Sequence, residues 1–328
     1  MDINEIARLA GVSRATVSRY LNNGYVSQAK REEIARVIEE TGYVPSRQAQ
    51  QLRTGRTNLV GVIIPKINSQ SVSRMVAGIT EVLTPKGYQI LLADTDNNEQ
   101  REVEYLHTFA EKNHVDGIIL IATIVTKMHA EMFSSLDTPI VVLGQHIEGQ
   151  ACVYHDDYHA SLDVSRATLK GSRCPAYIGV IEEDVAAGHM RHQGFLDACA
   201  EAGIAAREDL HMISDFTPES GYLACETIME RAPECDAIVC ATDTIAFGAL
   251  TCLREYGHRV PEDIQVSGLG DSEFSRIVYP SLTTAHLFYK SSGCSAAQML
   301  LNSIEGKSVP RSRELKMGYE IHVRTSTR

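Results

Sequence analysis

Along the first 45 positions apolar residues recur every three or four places, whereas from residue 59 onward they gather into short unbroken runs. Ile3, Ile6, Ala7 and Ala10 share one helical face, opened by Asp2 with Glu5 three residues on, the spacing of a capping box, and closed by Gly11. Ser13 suits the N-cap of a second short helix, "RATVSRYL", whose Val17, Tyr20 and Leu21 face inward. A third helix is expected from Gln28 to Thr41, with Ile34, Val37 and Ile38 on its core face and Gly42 as the stop. "RQAQQLRTG", closed by Gly55, reads as one more helix of two turns. Helices below about 12 to 15 residues are marginal in water, so this one needs a stabilising partner.

The later runs alternate with amphipathic stretches. "LVGVII", a helix near 72–86, "QILLA", a helix near 99–113, "DGIILIA" and "PIVVLG" come first. After a pause around 145–156 the rhythm restarts with a helix near 157–170, "PAYIGVI", a helix near 189–202, "LHMI", a helix near 218–232, "DAIVCAT" and "IQVSGL". Alternation of this kind predicts parallel sheets covered by helices, and about ten strands with a pause predict two sheets side by side. Ligands of open α/β sheets bind at the carboxyl ends of strands, so a cleft between two sheets is a natural small-molecule site. The expected organisation is a helix-turn-helix head over 1–45, a hinge helix and linker over 46–57, and a doubly wound α/β core over 58–328. Within the core one subdomain would take about 58–153 and 285–315, the other about 154–284 and 316–328. A chain of 328 residues exceeds the roughly 250 to 300 at which one hydrophobic core stops growing, which fits several units.

Charge divides along the same boundary. The first 57 residues hold nine Lys or Arg against six Asp or Glu, a balance of +3; since the whole chain carries −11, the other 271 residues carry −14. A basic head attracts phosphates through counterion release, and an acidic remainder confines non-specific DNA binding to the reading face. In a helix-turn-helix the second helix enters the major groove, which here presents Arg14, Ala15, Thr16, Ser18 and Arg19 to base edges. Either arginine can donate bidentately to guanine, Ala15 and the Thr16 methyl can meet a thymine methyl, and Ser13, Ser18, Asn22 and Ser27 suit phosphates.

The core carries no nucleophile elbow, Walker loop or dinucleotide fingerprint; "GLG" at 268–270 lacks the third glycine. Eight cysteines at irregular spacings from Cys152 onward, without a CxxC, read as buried thiols, so neither disulfides, a metal nor a cofactor is expected. No apolar run approaches the roughly 18 residues that span a bilayer. "MDINEIARLAG" lacks the regions of a signal peptide, so no membrane contact and a cytoplasmic location are expected, against an exported transport-binding module. An enzymatic alternative is a sugar-modifying activity with a vestigial head, using Asp156 and Asp157 with His155 or His159.

"IARLAGVSRATVSRYLNN", "GYVPSRQAQQLRTGRTNLVGVIIP", "DGIIL", "RHQGF", "TDTIAFGAL" and "SLTTAH" together resemble the lactose/galactose repressor family, in the family's order and through essentially the whole chain. The resemblance implies no enzyme but a homodimeric transcription regulator that binds a pseudo-palindromic double-stranded operator and answers a small carbohydrate effector in its core. It implies that Arg14 and Ala15 are the main specificity residues and that Leu52 is the hinge residue wedged into the minor groove. An exposed Leu on a marginal helix has nothing to pack on without its dimer mate and an unstacked base step, which agrees with that role. For the effector it implies the loop Asn68, Ser69, Gln70 and Ser71, with Arg191, Phe216, Thr242, Asp243 and Asp271. Of the pair Asp156 and Asp157, one would cap the next helix and the other face the cleft, and Asp156 is taken as the cleft residue. With no Trp in the chain, Phe216, Tyr158 or Phe274 would supply the aromatic wall against a sugar ring.

The chain departs from the family pattern at Gly270, where many relatives have a pocket aspartate, and at Thr242, where asparagine is frequent. "VYHDDYH" with "SRATVSRYLNNGYVS" is similar to the sucrose-operon repressors of Gram-positive bacteria, which makes sucrose the implied effector. Effector binding would open the hinge as an order-disorder switch, with a coupling of roughly 1 to 3 kcal/mol. The sign of that coupling stays open between induction and corepression, the latter including a phosphoprotein partner. The chain ends after "YEIHVRTS" without leucine heptads, so a dimer rather than a tetramer is expected.

Overall fold

The computed structural model describes residues 1–22, 24–43, 56–307 and 313–328, and it divides the chain into two compact units, Met1–Thr57 and Asn58–Arg328. The expected helix "RQAQQLRTG" lies outside the described residues.

In the first unit three helices, α1 (Ile3–Leu9), α2 (Arg14–Leu21) and α3 (Gln28–Thr41), enclose a miniature core. The capping box forms: the Asp2 amide donates to Glu5 Oε2 at 3.0 Å and the Glu5 amide to Asp2 Oδ1 at 2.9 Å. Ser13 Oγ accepts the Thr16 amide at 3.2 Å and so starts α2, and α3 stops at Gly42. Ile6, Val17 and Ile34, one from each helix, are fully buried together, joined by Ala7, Ala10 and Val37. Burying one face of every helix is what lets pieces this short hold their shape.

The second unit is built on two six-stranded sheets. In chain order its elements are β1 (Leu59–Ile64), α4 (Gln70–Leu83), β2 (Gln89–Asp94), α5 (Glu99–His107), β3 (Gly117–Ile121), α6 (Lys127–Ser135), β4 (Ile140–Leu143) and β5 (Cys152–His155). These are followed by α7 (Asp157–Thr168), β6 (Pro175–Gly179), α8 (Arg191–Glu201), β7 (His211–Ile213), α9 (Pro218–Arg231), β8 (Ala237–Cys240), α10 (Asp243–Glu255) and β9 (Gln265–Leu269). The last are β10 (Thr283–Leu287), α11 (Tyr289–Ile304), β11 (Glu314–Met317) and β12 (Tyr319–His322).

Strand order is β11-β5-β4-β3-β1-β2 in one sheet and β12-β10-β9-β8-β6-β7 in the other. Every pairing is parallel except β10 with β12. The central strands β3 "GIILI" and β8 "AIVC" are buried at every residue, which explains their unbroken apolar runs, whereas the edge strand β11 "ELKM" is largely exposed. The chain passes from one sheet to the other after β5, after β10 and after β11, so β5, β10 and β11 each stay a few residues longer with their sheet than the boundaries expected at 153/154, 284/285 and 315/316.

Helices α4 and α11 cover the first sheet and cross in direct backbone contact. A Cβ at Gly78 would fall 2.0 Å from the Lys290 carbonyl oxygen, and one at Gly293 would fall 2.0 Å from that of Met75. This close approach brings Arg74 of α4 over the ring of Tyr289 at the start of α11, 5.3 Å from its centroid. Gly78→Ala is therefore expected to lower stability in urea unfolding by about 1 to 2 kcal/mol, overpacking outweighing the roughly 1 kcal/mol that alanine gains in helix propensity. An unchanged or raised midpoint would show that the two helices do not need the glycine.

Candidate functional site

Two surfaces carry chemistry, one in each unit. In the head, α2 keeps Val17 inward, which turns Arg14, Ala15 and Arg19 fully outward and Thr16 and Ser18 partly so. Two of the expected contacts are partly engaged within the head. Ser13 Oγ is taken by the helix cap and by Thr16 Oγ1 at 2.9 Å, and the Asn22 side-chain amide turns back to the Ser18 carbonyl. Tyr25, which the periodicity could not single out because it belongs to no helical face, is 90% exposed beside this surface in sequence. Leu52 lies outside the described residues.

In the second unit the carboxyl ends of the strands of both sheets converge on a cleft, as parallel α/β topology requires. Its outer part, about 370 Å³, is lined from the first sheet by Asn68, Ser69, Gln70, Ser71 and Arg74, and from the second by Phe216, Thr242, Asp243, Gly270 and Ser272. Its inner part, about 140 Å³, reaches Thr123, Gln145, His155, Asp157, Asp184 and Arg191. Ser69, Ser71, Phe216, Thr242 and Tyr289 border both parts.

Arg191 is buried: Nε and Nη2 donate to Asp157 Oδ1 at 2.8 and 2.7 Å, Nη1 donates to the Ala241 carbonyl at 2.6 Å, and Tyr289 also accepts from the guanidinium. Burial lifts the Asp157 pKa to about 6 against the pull of Arg191. Asp184, which accepts the Ala187 amide at 3.0 Å, is also raised by burial. At the outer end Asp243 is buried, accepting from the Ser272 amide at 2.7 Å and from Thr284 Oγ1 at 2.5 Å, and burial raises its pKa to about 6. Thr242 Oγ1 accepts the Ile245 amide at 3.3 Å and caps α10. Burial, with Arg191 and Arg74 nearby, lowers the His155 pKa to about 3, so its imidazole is neutral.

Two side chains of the first subdomain reach across the cleft. Arg74 Nη1 donates to the carbonyls of Gly270 and Asp271 at 2.8 and 3.2 Å, and Gln145 Nε2 donates to Asp184 Oδ1 at 2.8 Å while also holding the Thr123 carbonyl at 2.7 Å. Gly270 has φ +133°, a conformation that side-chain-bearing residues rarely adopt, so an aspartate would be strained at this position.

Four expectations are corrected. Asp156 does not line the cleft: its Oδ1 accepts from the His159 amide as the cap of α7 and pairs with His159 Nδ1 at 2.8 Å, and its Oδ2 pairs with Lys316 at 2.8 Å; Asp157 takes the cleft side. Asp271 turns its carboxylate away to Arg324, Arg276 and His286. Burial pushes that carboxyl's pKa up, but these donors outweigh it and hold it below the usual range. His322 also comes near, yet two guanidinium groups already engage the carboxylate oxygens, which makes the grouping an ion-pair hub. Phe274 is half exposed against Phe247, and the Tyr158 hydroxyl donates to Asp197 at 2.7 Å, so neither forms the wall. Phe216, the third residue expected there, forms it together with Tyr289, which was not foreseen because only the crossing of α4 and α11 brings it to the cleft.

Residues 2–46 match the family profile described as bacterial regulatory proteins, lacI family, and residues 169–327 match the periplasmic binding protein-like domain. The chain is 34% identical over 307 residues to the sucrose operon repressor of Staphylococcus xylosus, covering 93% of this chain and 94% of that protein. It is 31% identical over 329 residues to the HTH-type transcriptional regulator RegA of Clostridium saccharobutylicum, covering 99% and 98%. Among solved structures, a complex of the transcriptional regulator CelR with cellobiose superposes with TM-score 0.76 at 30% identity, covering 99% of each chain. The lac repressor dimer bound to operator and the anti-inducer ONPF superposes with TM-score 0.90 over 100% of this chain and 99% of that one; at 22% identity this shows the fold alone.

The raised pKa of Asp243 has a signed consequence. The folded chain holds a proton that the unfolded chain has lost, so this contribution to stability is full below the unfolded value near 4 and lost as pH rises through about 6. At about 1.4 kcal/mol per pKa unit, the rise from 3.8 to about 6 corresponds to about 3 kcal/mol. Asp157 acts over the same window, so Asp243→Asn is expected to reduce, without abolishing, the fall in Tm between pH 4 and 6.5. An undiminished fall in the variant would show that the Asp243 carboxyl is not held protonated by its burial.

Proposed function

The chain belongs to the lacI family of bacterial regulatory proteins, and on that premise we propose that it is a transcriptional repressor that binds a pseudo-palindromic operator as a homodimer and is released by a small carbohydrate. The observation that carries the reading is the cleft. Buried carboxylates, a guanidinium, an amide and hydroxyls surround Phe216 and Tyr289, and this is the mixture a sugar needs: paired donors and acceptors for its hydroxyls and an apolar face for its ring. Sucrose is the first choice of effector, supported by the 34% identity with a sucrose operon repressor over 93% of the chain.

Arg14 and Ala15 read the major groove, Thr16, Ser18 and Arg19 complete that face, and Ser13 and Asn22 meet phosphates. Leu52 serves as the minor-groove wedge. Homodimerisation agrees with Ile277 and Tyr279, which leave 73% and 93% of their surfaces exposed where a second copy can cover them. No helix among the described residues is long and apolar enough to cross a membrane, and a repressor acts where the chromosome is, so we place the protein in the cytoplasm. The enzymatic alternative loses support with its catalytic pair: Asp156 is tied to Lys316 and His159, and Asp157 to Arg191.

A carbohydrate acts through whatever difference it makes between two subdomain arrangements. The bonds of Arg74 and Gln145 across the cleft are the contacts it would strengthen or replace on binding.

The test is operator binding by the full-length protein, using a site obtained by selection from random DNA. Sucrose is expected to weaken binding by about 5- to 150-fold, and Arg14→Ala to cost about 1 to 3 kcal/mol with relaxed preference at one base pair. Operator affinity that ignores every saccharide offered would contradict the sensor reading, and affinity raised by sucrose would assign corepression instead.

A further inference from the structure

We propose that the cleft is built for an effector of two linked rings, and that His155 reads a hydroxyl of the ring in the inner compartment. This rests on the carbohydrate-sensor reading above and specifies which part of the ligand each compartment selects.

The inner and outer parts, about 140 and 370 Å³, meet along Phe216 and Tyr289. The inner volume falls below the roughly 300 to 1,000 Å³ of a site for a drug-sized ligand, and the outer one lies near the lower end of that range. One compact ring therefore fills the inner part and leaves the outer part to a second ring, with the junction passing between the two aromatic side chains.

His155 ends β5 and is only 5% exposed, yet its Nε2 has no hydrogen-bond partner. A buried polar atom without a partner costs free energy unless something comes to it. Of the three other partnerless groups among the described residues, Tyr177 Oη and Ser165 Oγ are absent from both linings and Ser272 Oγ borders the outer part, whereas His155 alone borders the inner compartment. Its ring is fixed edge-on to Tyr289, with centroids 5.0 Å apart at 72°. A neutral imidazole nitrogen either donates or accepts, depending on its tautomer, and a hydroxyl can answer both. At this end of the cleft Asp157 already neutralises Arg191 and Asp184 adds a further carboxylate, while Lys66 borders both compartments.

The experiment is titration calorimetry of the full-length protein with sucrose, cellobiose, glucose and fructose, repeated with His155→Phe and His155→Gln. A disaccharide is expected to bind the wild type at least about tenfold more tightly than either monosaccharide. His155→Phe is expected to lose roughly tenfold or more in disaccharide affinity while keeping wild-type operator binding without sugar, and His155→Gln, which restores a polar nitrogen, to recover part of the loss. Monodeoxy analogues of the bound disaccharide supply a readout that a purely structural role would not move. One of them should bind the wild type weakly and bind His155→Phe no worse than the parent sugar does. Equal disaccharide affinity in wild type and His155→Phe, or a monosaccharide that binds as tightly as a disaccharide, would overturn the inference alone. No heat with any saccharide would overturn the sensor reading and this inference with it. If His155→Phe does not fold, the deoxy series on the wild type decides: uniform affinity across it rejects a hydroxyl read in the inner compartment.

Discussion

Arg191 sets the terms for the rest of the core. A buried guanidinium is tolerated only when its donors are answered, and residues far apart in sequence answer this one: Asp157 at the start of α7, the Ala241 carbonyl beyond β8 and Tyr289 at the start of α11. That requirement fixes the end of β5, where the chain leaves the first sheet, against the strand ends of the second. His155, Asp157 and Thr242 thereby come to one cleft, and the pair presents a group that is nearly neutral overall yet rich in hydrogen-bonding capacity. Such a site offers a polyhydroxyl ligand both carboxylates, on Asp157, Asp184 and Asp243, and donors, on Lys66 and Arg74.

The bonds across the cleft connect this chemistry to regulation. Arg74 reaches two backbone carbonyls of the second subdomain from a helix locked to its neighbour at Gly78 and Gly293, so a change at the cleft has a rigid lever on the first-sheet side. Gln145 makes the second link to a buried carboxylate that has few other partners. A ligand that competes for Asp184 or props Arg74 away acts on the relation between subdomains and not merely on one wall, which is what a differential affinity for two arrangements requires.

Much of this was legible in the sequence because parallel strands buried on both faces must be continuous apolar runs, and amphipathic helices must show their period. "LVGVII" and "DGIILIA" announced β1 and β3 within a residue. Three strands gave no such signal. "CVYH", "TTAHL" and "ELKM" carry polar residues because β5 ends in the cleft, β10 lies beside the antiparallel edge strand β12, and β11 is itself an edge. Helix α11 was missed for a related reason: its glycine and alanines serve close packing, which weakens the periodic contrast. At the site, position in a motif identified Arg191, Phe216 and Asp243, but it could not tell which of two adjacent aspartates turns inward. Direction follows from the cap of α7 and from Lys316, 160 residues away. Nor could it show that Asp271 would be captured by Arg324 from the end of the chain. Tyr289 and Arg74 become site residues only through a helix crossing, which no local pattern encodes.

The central claim is that sugar and operator act on one equilibrium of one molecule, and thermodynamic linkage tests this directly. Disaccharide affinity would be measured by calorimetry on the free protein and on the protein saturated with operator, beside operator affinity with and without the saturating sugar. If one equilibrium joins the two sites, the two ratios must be equal, with an expected value of about 5 to 150. A sugar that binds free and operator-bound protein alike, while operator affinity still changes on adding it, would contradict the account.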